Sequence, residues 1–432
     1  MSPHPSTRRR FLLTTAPLLL PGLVRAALKP ADYQKDVDFL LKELPKKAGH
    51  FFALKKIDWK KVTDEFTKEA KTVKDDAAHV KLCNRLVARL RDGHAGLRDL
   101  KVKMPDESKG RRFTGPRVHL VVIGDKVFVR QSFKDAQAKG IEVGMEVEKM
   151  DNKPARKWLD EAVLRLSDER GYGTDAAALY AACHAGLADW EGTTITFEVS
   201  KKGRRTKVPI TRNGGPNYAP EGPVFLPKDL TYIDRNSYGK TPEGCGYIHL
   251  RKVPGDLPQQ LDTMLAAIGE VPGIILDCRA NSGGGCDHEA VFARFLPAGK
   301  KWRQYTGAGS NPCAAPMVVI VDAGVFSAGE TIAGQFKEDG RAYMIGESAT
   351  AGSSSSKETL AVPSGLFNVY YSVFSNKARF NGGKGIEGLG VPPHEITPYV
   401  SDDLEKGVDT QIRIAAEKLK AGLPKDKVPW KV

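Results

Sequence analysis

The chain has 432 residues, 41% hydrophobic and 27% charged. That excludes a wholly disordered chain and a multi-span membrane protein, and it leaves room for two to four domains. The formal charge is +14, but without the four arginines of the first 26 residues 62 bases face 52 acids. There is no long basic run and no basic–aromatic alternation, so nucleic acid is not an expected partner.

The N-terminus reads as an address. Thr7-Arg8-Arg9-Arg10-Phe11-Leu12-Leu13 leads from charge into an apolar stretch that Pro17, Pro21 and Gly22 interrupt. The stretch is too short to span a bilayer, which needs about 20 residues. Val24-Arg25-Ala26 puts small residues at −3 and −1 of a cleavage site. The paired arginines followed by Phe-Leu resemble a twin-arginine export signal. Residues 1–26 are therefore set apart from the fold. The mature protein is expected to be free of membrane spans and to reside in the periplasm or outside the cell. Cys83, Cys183, Cys245, Cys278, Cys286 and Cys313 include no C-x-x-C pair and are too few for a disulfide framework. Cys286-Asp287-His288 has no partner cluster at ligand spacing, so no metal and no cofactor are expected.

Residues 27–112 read as a helical domain. Val37, Leu40, Leu41 and Leu44 share one face at a 3.6-residue period. Asp75 or Asp76 can cap a second helix carrying Val80, Leu82, Cys83, Leu86, Val87 and Leu90. That helix stops at Arg91-Asp92-Gly93-His94, which leaves His94 on a loop. Residues 113–215 read as a small β domain with strands near 119–123, 126–129 and 194–199. About 30 helix-compatible residues, 157–190, are inserted in it. Gly140 to Pro154 resembles the "G-hydrophobic-x-x-G-D-x-I-x-x-I-N-G-x-P" stretch of PDZ domains, with Glu146 for the usual Asp. Such a unit would add a peptide strand to its sheet edge.

Residues 216–432 alternate apolar runs (245–250, 274–279, 317–322, 342–345) with helix-compatible segments, the pattern of an α/β core with buried strands. Sites in such sheets form where strands end. One strand runs into Arg279-Ala280-Asn281-Ser282-Gly283-Gly284-Gly285, where backbone N–H groups can approach a ligand closely. The next runs into Ala323-Gly324-Val325-Phe326-Ser327-Ala328-Gly329-Glu330, opening a helix to about Lys337. Ser327 then sits at a helix N-terminus, where the dipole favours developing negative charge. The N–H of Ala328 and one from the Gly283–Gly285 loop could together hold an oxyanion. Plain N-capping would explain a serine there equally well.

These residues also resemble a family. Asp277-Cys278-Arg279-Ala280-Asn281-Ser282-Gly283-Gly284 is similar to the "D-x-R-x-N-x-G-G" motif of C-terminal-processing (tail-specific) serine peptidases. Phe326-Ser327-Ala328-Gly329-Glu330 is similar to their "x-S-A-x-E". Ile345 to Gly352 resembles "h-G-E-x-T-A-G" with one extra residue. Gly385 to Pro393 resembles "E-G-x-G-V-x-P-D", and Leu90 to His94 resembles "L-x-D-G-H-T", with Ala95 for Thr. The resemblance implies a multidomain α+β chain: an N-terminal helical domain, a PDZ-like β domain and a crotonase-like α/β catalytic core.

One branch of the family uses a Ser–Lys dyad with the lysine about 25 residues after the serine; Gly352 stands near that place. The tricorn-core branch uses Ser, His and Glu. The resemblance therefore implies Ser327 as nucleophile, His94 as general base and Glu387 as supporting carboxylate, acting directly or through an intervening hydroxyl. Gly284 or Gly283, with Ala328, would form the oxyanion hole. Where that branch can carry a serine before the histidine, this chain has Gly93. Lys357 is the one candidate for a displaced dyad lysine.

Some matches carry no function. Gly383 to Gly388 fits G-x-G-x-x-G, but Leu-Gly-Val-Pro-Pro cannot open the helix a dinucleotide site needs. Ser354-Ser355-Ser356-Lys357 fits S-x-x-K, yet reads as a serine-rich loop. Glu330 is expected to reach back as in a capping box. His288 and His394 are expected to pack or face solvent. Two function classes follow: an exported serine endopeptidase acting on peptides or unfolded protein, or a non-catalytic binder of peptides or apolar ligands on the same scaffold.

Overall fold

A computed structural model describes residues 29–102, 104, 114–214, 222–375 and 379–430. The expected export signal, residues 1–26, lies outside them. The architecture is mixed α+β, with separate apolar cores.

Three helices come first: α1 (Pro30–Ala48), α2 (Trp59–Ala70) and α3 (Asp76–Ala88). Pro30 opens α1, where its missing N–H has no consequence. Asp58 caps α2 by accepting from Lys61 N–H at 3.0 Å, and Asp75 caps α3 by accepting from Ala78 N–H at 2.8 Å. Val37, Leu40, Leu41 and Leu44 are all buried on the face their spacing marks. Burying each such side chain stabilises the fold by about 1.5–3 kcal/mol.

The middle region holds β2 (Val118–Ile123), β3 (Lys126–Ser132), β4 (Glu146–Met150), α4 (Ala155–Glu169), α5 (Asp175–Ala182), β5 (Thr194–Lys201) and β6 (Arg204–Thr211); β1 (Gly96–Arg98) precedes it. The sheet runs β2-β3-β4-β5-β6, all antiparallel, with the two-residue strand Lys153–Pro154 pairing off β4. The helix-compatible stretch between Pro154 and Thr194 is thus α4 and α5, packed over the sheet around Leu159, Ala162 and Phe197.

The last region contains β7 (Thr231–Ile233), β8 (Asn236–Lys240), β9 (Gly246–His249), α6 (Leu257–Ile268), β10 (Ile274–Asp277), β11 (Met317–Val321), α7 (Ala328–Glu338) and β12 (Tyr343–Gly346). It continues with β13 (Ser355–Ala361), β14 (Asn368–Ser375), β15 (Glu395–Ile396) and α8 (Thr410–Ala421). The main sheet has the order β15-β12-β11-β10-β9-β8-β7. It is parallel from β15 to β9 and antiparallel through β8 and β7. Every residue of β9, β10, β11 and β12 is buried, so these strands read as unbroken apolar runs.

One expectation is corrected here. Ser355 to Lys357 are not loop but the start of β13, which pairs antiparallel with β14. Serines fit because β13 is a half-exposed edge of the sheet β1-β14-β13. Only the distant β14 identifies it as a strand. This hairpin packs against the N-terminal helices: Val362, Leu366, Phe367, Val369 and Tyr371 share a core with Leu40, Phe66 and Leu86.

Candidate active site

The loops that follow β10 and β11 meet at the C-terminal ends of those strands. Arg279 fixes the first loop. Its guanidinium is fully buried and donates to Asp277, Asp409, Tyr399 and Gln411, at 2.9 Å for Nε to Asp277 Oδ1 and 2.9 Å for Nη1 to Asp409 Oδ1. The arginine of the "D-x-R" motif is therefore structural. Asn281 then braces the loop: its Nδ2 donates to Leu250 O at 2.6 Å, and its Oδ1 accepts from Gly283 N–H at 2.8 Å. Its carbonyl accepts from Phe326 N–H at 2.8 Å, which joins this loop to the one bearing Ser327.

Ser327 caps α7 with φ 57° and ψ −126°. A plain N-cap has an extended backbone, so this positive φ is a strained elbow that capping alone does not require. Gly283 lies against it with φ +77°; a Cβ there would stand 2.9 Å from Ser327 Cβ and 3.3 Å from Ala328 N. Gly284 has φ +145°, and a Cβ would collide with Val253 O at 2.0 Å. Of the expected oxyanion donors, Gly283 N–H is engaged by Asn281, whereas Gly284 N–H and Ala328 N–H have no hydrogen-bond partner among the described residues.

Glu330 does more than cap. Its carboxylate accepts from Ser327 N–H at 3.2 Å, as in a capping box, and also from Thr350 Oγ1 at 2.6 Å, Gly352 N–H at 2.7 Å and Ser353 N–H at 2.8 Å. Complete burial raises its pKa to about 7 against the pull of those donors. The loop at 350–353 is thereby pinned to the serine elbow.

His94 sits on the loop after α3, its ring 4.4 Å from that of Phe326, the residue before Ser327. Asp92 shapes this loop: Oδ1 accepts from His94 N–H at 2.8 Å, and Oδ2 accepts from Ser372 N–H on β14 at 2.7 Å. Burial, then the Lys357 charge, lower the His94 pKa to about 4, so the imidazole is neutral at pH 7. Its Nδ1 is buried without a hydrogen-bond partner. A polar cavity of about 280 Å³ opens beside His94, with Arg98, Glu169 and Arg170 in its walls.

Glu387 is fully buried, and Lys55 Nζ donates to its Oε1 at 2.7 Å. Ser372 Oγ stands 3.5 Å from Oε2. Burial raises the Glu387 pKa to about 6, while the Lys55 ammonium opposes the rise. Lys357, half-buried on β13, feels the charges of Glu387, Asp92 and Glu330, and burial lowers its pKa. The structure thus gathers Ser327, Gly283 and Ala328 in contact, with His94 one aromatic ring away. Among the described residues, no hydrogen bond joins Ser327 to His94 or His94 to Glu387. Lys55 and Ser372 are site residues that sequence reasoning did not find. Both come from elements far from the motifs, and neither has a local signal.

The remaining candidates take structural places. Asp287 caps a short helix by accepting from Glu289 N–H at 3.0 Å. His394 Nδ1 accepts from Met344 N–H at 2.9 Å. All six cysteines are unpaired. Among the described residues no group of three His, Cys, Asp or Glu side chains could hold a metal, and no helix is long and apolar enough to cross a membrane.

Residues 244–397 match peptidase family S41. The chain carries a peptidase family S41 domain. That family is one of serine-type peptidases, and the matched domain is of that type. The S41 domain spans both glycine-loop and serine-elbow segments and Glu387, but not His94. Mature CPAF complexed with lactacystin has the same fold across 91% of this chain and 98% of its own, at TM-score 0.65 and 14% identity. Mature CPAF alone gives TM-score 0.63 and 13% identity over 90% of this chain and 96% of its own. The photosystem II D1 C-terminal processing protease is a looser match, at TM-score 0.43 and 18% identity over 85% of this chain and 93% of its own. No curated protein matches the chain by sequence.

Proposed function

We propose that the protein is an exported serine endopeptidase that cleaves peptides or the C-terminal regions of unfolded proteins through an acyl-enzyme on Ser327. The observation that carries this reading is the serine elbow. A hydroxyl sits at a helix N-terminus with φ 57°, pressed against a glycine loop, with two backbone N–H groups free to receive an oxyanion. Ser327 attacks the scissile carbonyl. His94, neutral at pH 7, takes its proton and passes it to the leaving amine. Gly284 and Ala328 N–H groups hold the tetrahedral oxyanion. Glu387 is tied to the His94 loop through Ser372 and Asp92, whose carboxylate holds the His94 backbone N–H. Water then resolves the ester.

The sheet of residues 118–211 is read as the PDZ-like unit. Its β2 is an edge strand beside α5, the place where a peptide strand could add. Residues 1–26 would direct twin-arginine export to the periplasm or beyond. N-terminal sequencing of the native protein is expected to begin at Ala27.

A second reading has one observation in its favour: Ser327, His94 and Glu387 are not hydrogen-bonded to one another. Catalytic contacts are often loose before substrate binds, but the same geometry suits a non-catalytic peptide binder. Labelling with a fluorophosphonate, followed by mass mapping, separates the two. The expected result is a label on Ser327 that Ser327→Ala abolishes and His94→Ala slows by ~10²-fold or more. Label retained in His94→Ala but lost in Lys357→Ala would assign the base to Lys357. No label with or without unfolded-protein peptides, together with tight peptide binding, would favour the binder.

A further inference from the structure

We propose that Lys55 is a positioning residue of this site, its ammonium holding Glu387 as a carboxylate and tying it to the loop that presents His94. The inference rests on the assignment of Glu387 above and adds a residue from outside the S41 domain.

Lys55 lies on the turn between α1 and α2, in the N-terminal helical region. Its side chain crosses to the main core, where Nζ donates to Glu387 Oε1 at 2.7 Å. The two side chains are 2% and 0% exposed. The same ammonium is 3.4 Å from Leu90 O, the carbonyl immediately before Arg91-Asp92-Gly93-His94. One cation therefore touches both segments from which the base and the supporting carboxylate are drawn. Its own place is fixed. Its N–H donates to Phe51 O at 2.9 Å, and its ammonium lies 5.0 Å from the centre of the Phe51 ring. Gly388, at φ +79°, lets the stem lie flat on the Glu387–Gly388 peptide; a Cβ there would stand 2.8 Å from Lys55 Cγ.

The charge, not the bulk, is what this location requires. Glu387 also faces Asp92 and Glu330, which oppose its ionisation, and Lys357, Ser355 and Ser372. Of the cations, Lys55 alone among the described residues is in ion-pair contact with it. A buried carboxylate without a partner protonates rather than stay charged. A protonated Glu387 could no longer stabilise an imidazolium on His94. Filling the space needs only a methionine; keeping Glu387 ionised needs the ammonium.

The test is the second-order rate of fluorophosphonate labelling of Ser327 from pH 5 to 9. The full-length mature protein is compared with Lys55→Met, Lys55→Gln, Glu387→Gln and the double variant Lys55→Met/Glu387→Gln. Folding is checked by thermal melting. Lys55→Met is expected to slow labelling at pH 7 at least tenfold and to move the acid limb of the profile upward by about 1 pH unit or more, because an opposite charge that had favoured the carboxylate is gone. On the Glu387→Gln background the same change is expected to alter the rate less than twofold. If Lys55→Met does not fold, Lys55→Gln keeps a donor for both acceptors without the charge and is read the same way. A folded lysine variant with the wild-type pH profile, while Glu387→Gln is slow, overturns the role of Lys55 and leaves that of Glu387 standing. A Glu387→Gln variant that labels at the wild-type rate overturns both.

Discussion

Gly93, beside His94, sits where a side chain has little room. A Cβ there would stand 2.5 Å from Ser353 Oγ and 2.8 Å from Phe326 Cε2. Where a relative can carry serine, this chain has closed the space with Ser353 and Phe326. Gly93→Ser is expected to destabilise the fold by about 1–3 kcal/mol, as overpacking does. It should also slow Ser327 labelling about 10²-fold, since His94 and the Phe326 ring must shift together. Urea titration and labelling rate check the two effects separately. The neighbouring imidazole gives a pH signature. The His94 pKa is depressed from 6.5 to about 4 in the folded chain, so its stabilising contribution is present above 6.5 and is lost as pH falls through 4. Relative to His94→Gln, the wild-type protein should lose stability between pH 6.5 and 4 and hold a constant difference above pH 7. A flat difference across that window would mean that the ring is solvated.

At the scale of elements, the site is two loops held by polar side chains that the strands deliver. Asn281 is the joint: it binds Leu250 O, Gly283 N–H and, through its carbonyl, Phe326 N–H. Asn281→Ala would leave Leu250 O and Gly283 N–H unpaired in a buried place, at a cost of about 1–3 kcal/mol. Labelling of Ser327 should slow about 10²-fold, because the N–H of Gly284 is no longer aimed. The loss should persist at temperatures where melting shows the variant fully folded. Much of this was legible in the sequence. The runs at 274–279 and 317–322 and the helix after Ser327 all stand where their periods place them. Local sequence carries such elements because each buries its own apolar pattern. The hairpin of β13 and β14 was not legible, since Ser355 to Lys357 becomes a strand only through a partner more than ten residues away. Lys55 was invisible for the same reason: its partner is 332 residues distant. The spacing of Glu330 marks it only as a cap, and its bonds to Thr350, Gly352 and Ser353 depend on tertiary contact.

At the scale of the whole molecule, the N-terminal helices and the hairpin at 355–375 are one body. Asp36 on α1 shows how closely they are joined. Its fully buried carboxylate is 2.9 Å from His79 Nε2 on α3 and accepts from Ser364 N–H, in the hairpin turn, at 2.8 Å. Around it, apolar residues of α1, α2 and α3 share their core with Val362, Phe367 and Val369. That hairpin in turn supplies Lys357 and Ser372 beside Glu387. Asp36→Ala would take from the buried His79 imidazole and the half-buried Ser364 N–H the carboxylate they share, at a cost of about 3 kcal/mol. If the two segments form one cooperative unit, hydrogen exchange should quicken together in residues 30–48 and 355–375. Ser327 labelling should fall with it, although Asp36 touches none of the residues proposed to react. Asp36→Asn, which keeps an acceptor for Ser364 N–H, should lose less of both. Faster exchange confined to 30–48, with labelling unchanged, would show instead that the helices are a separable appendage and that the hairpin holds the Glu387 side of the site unaided.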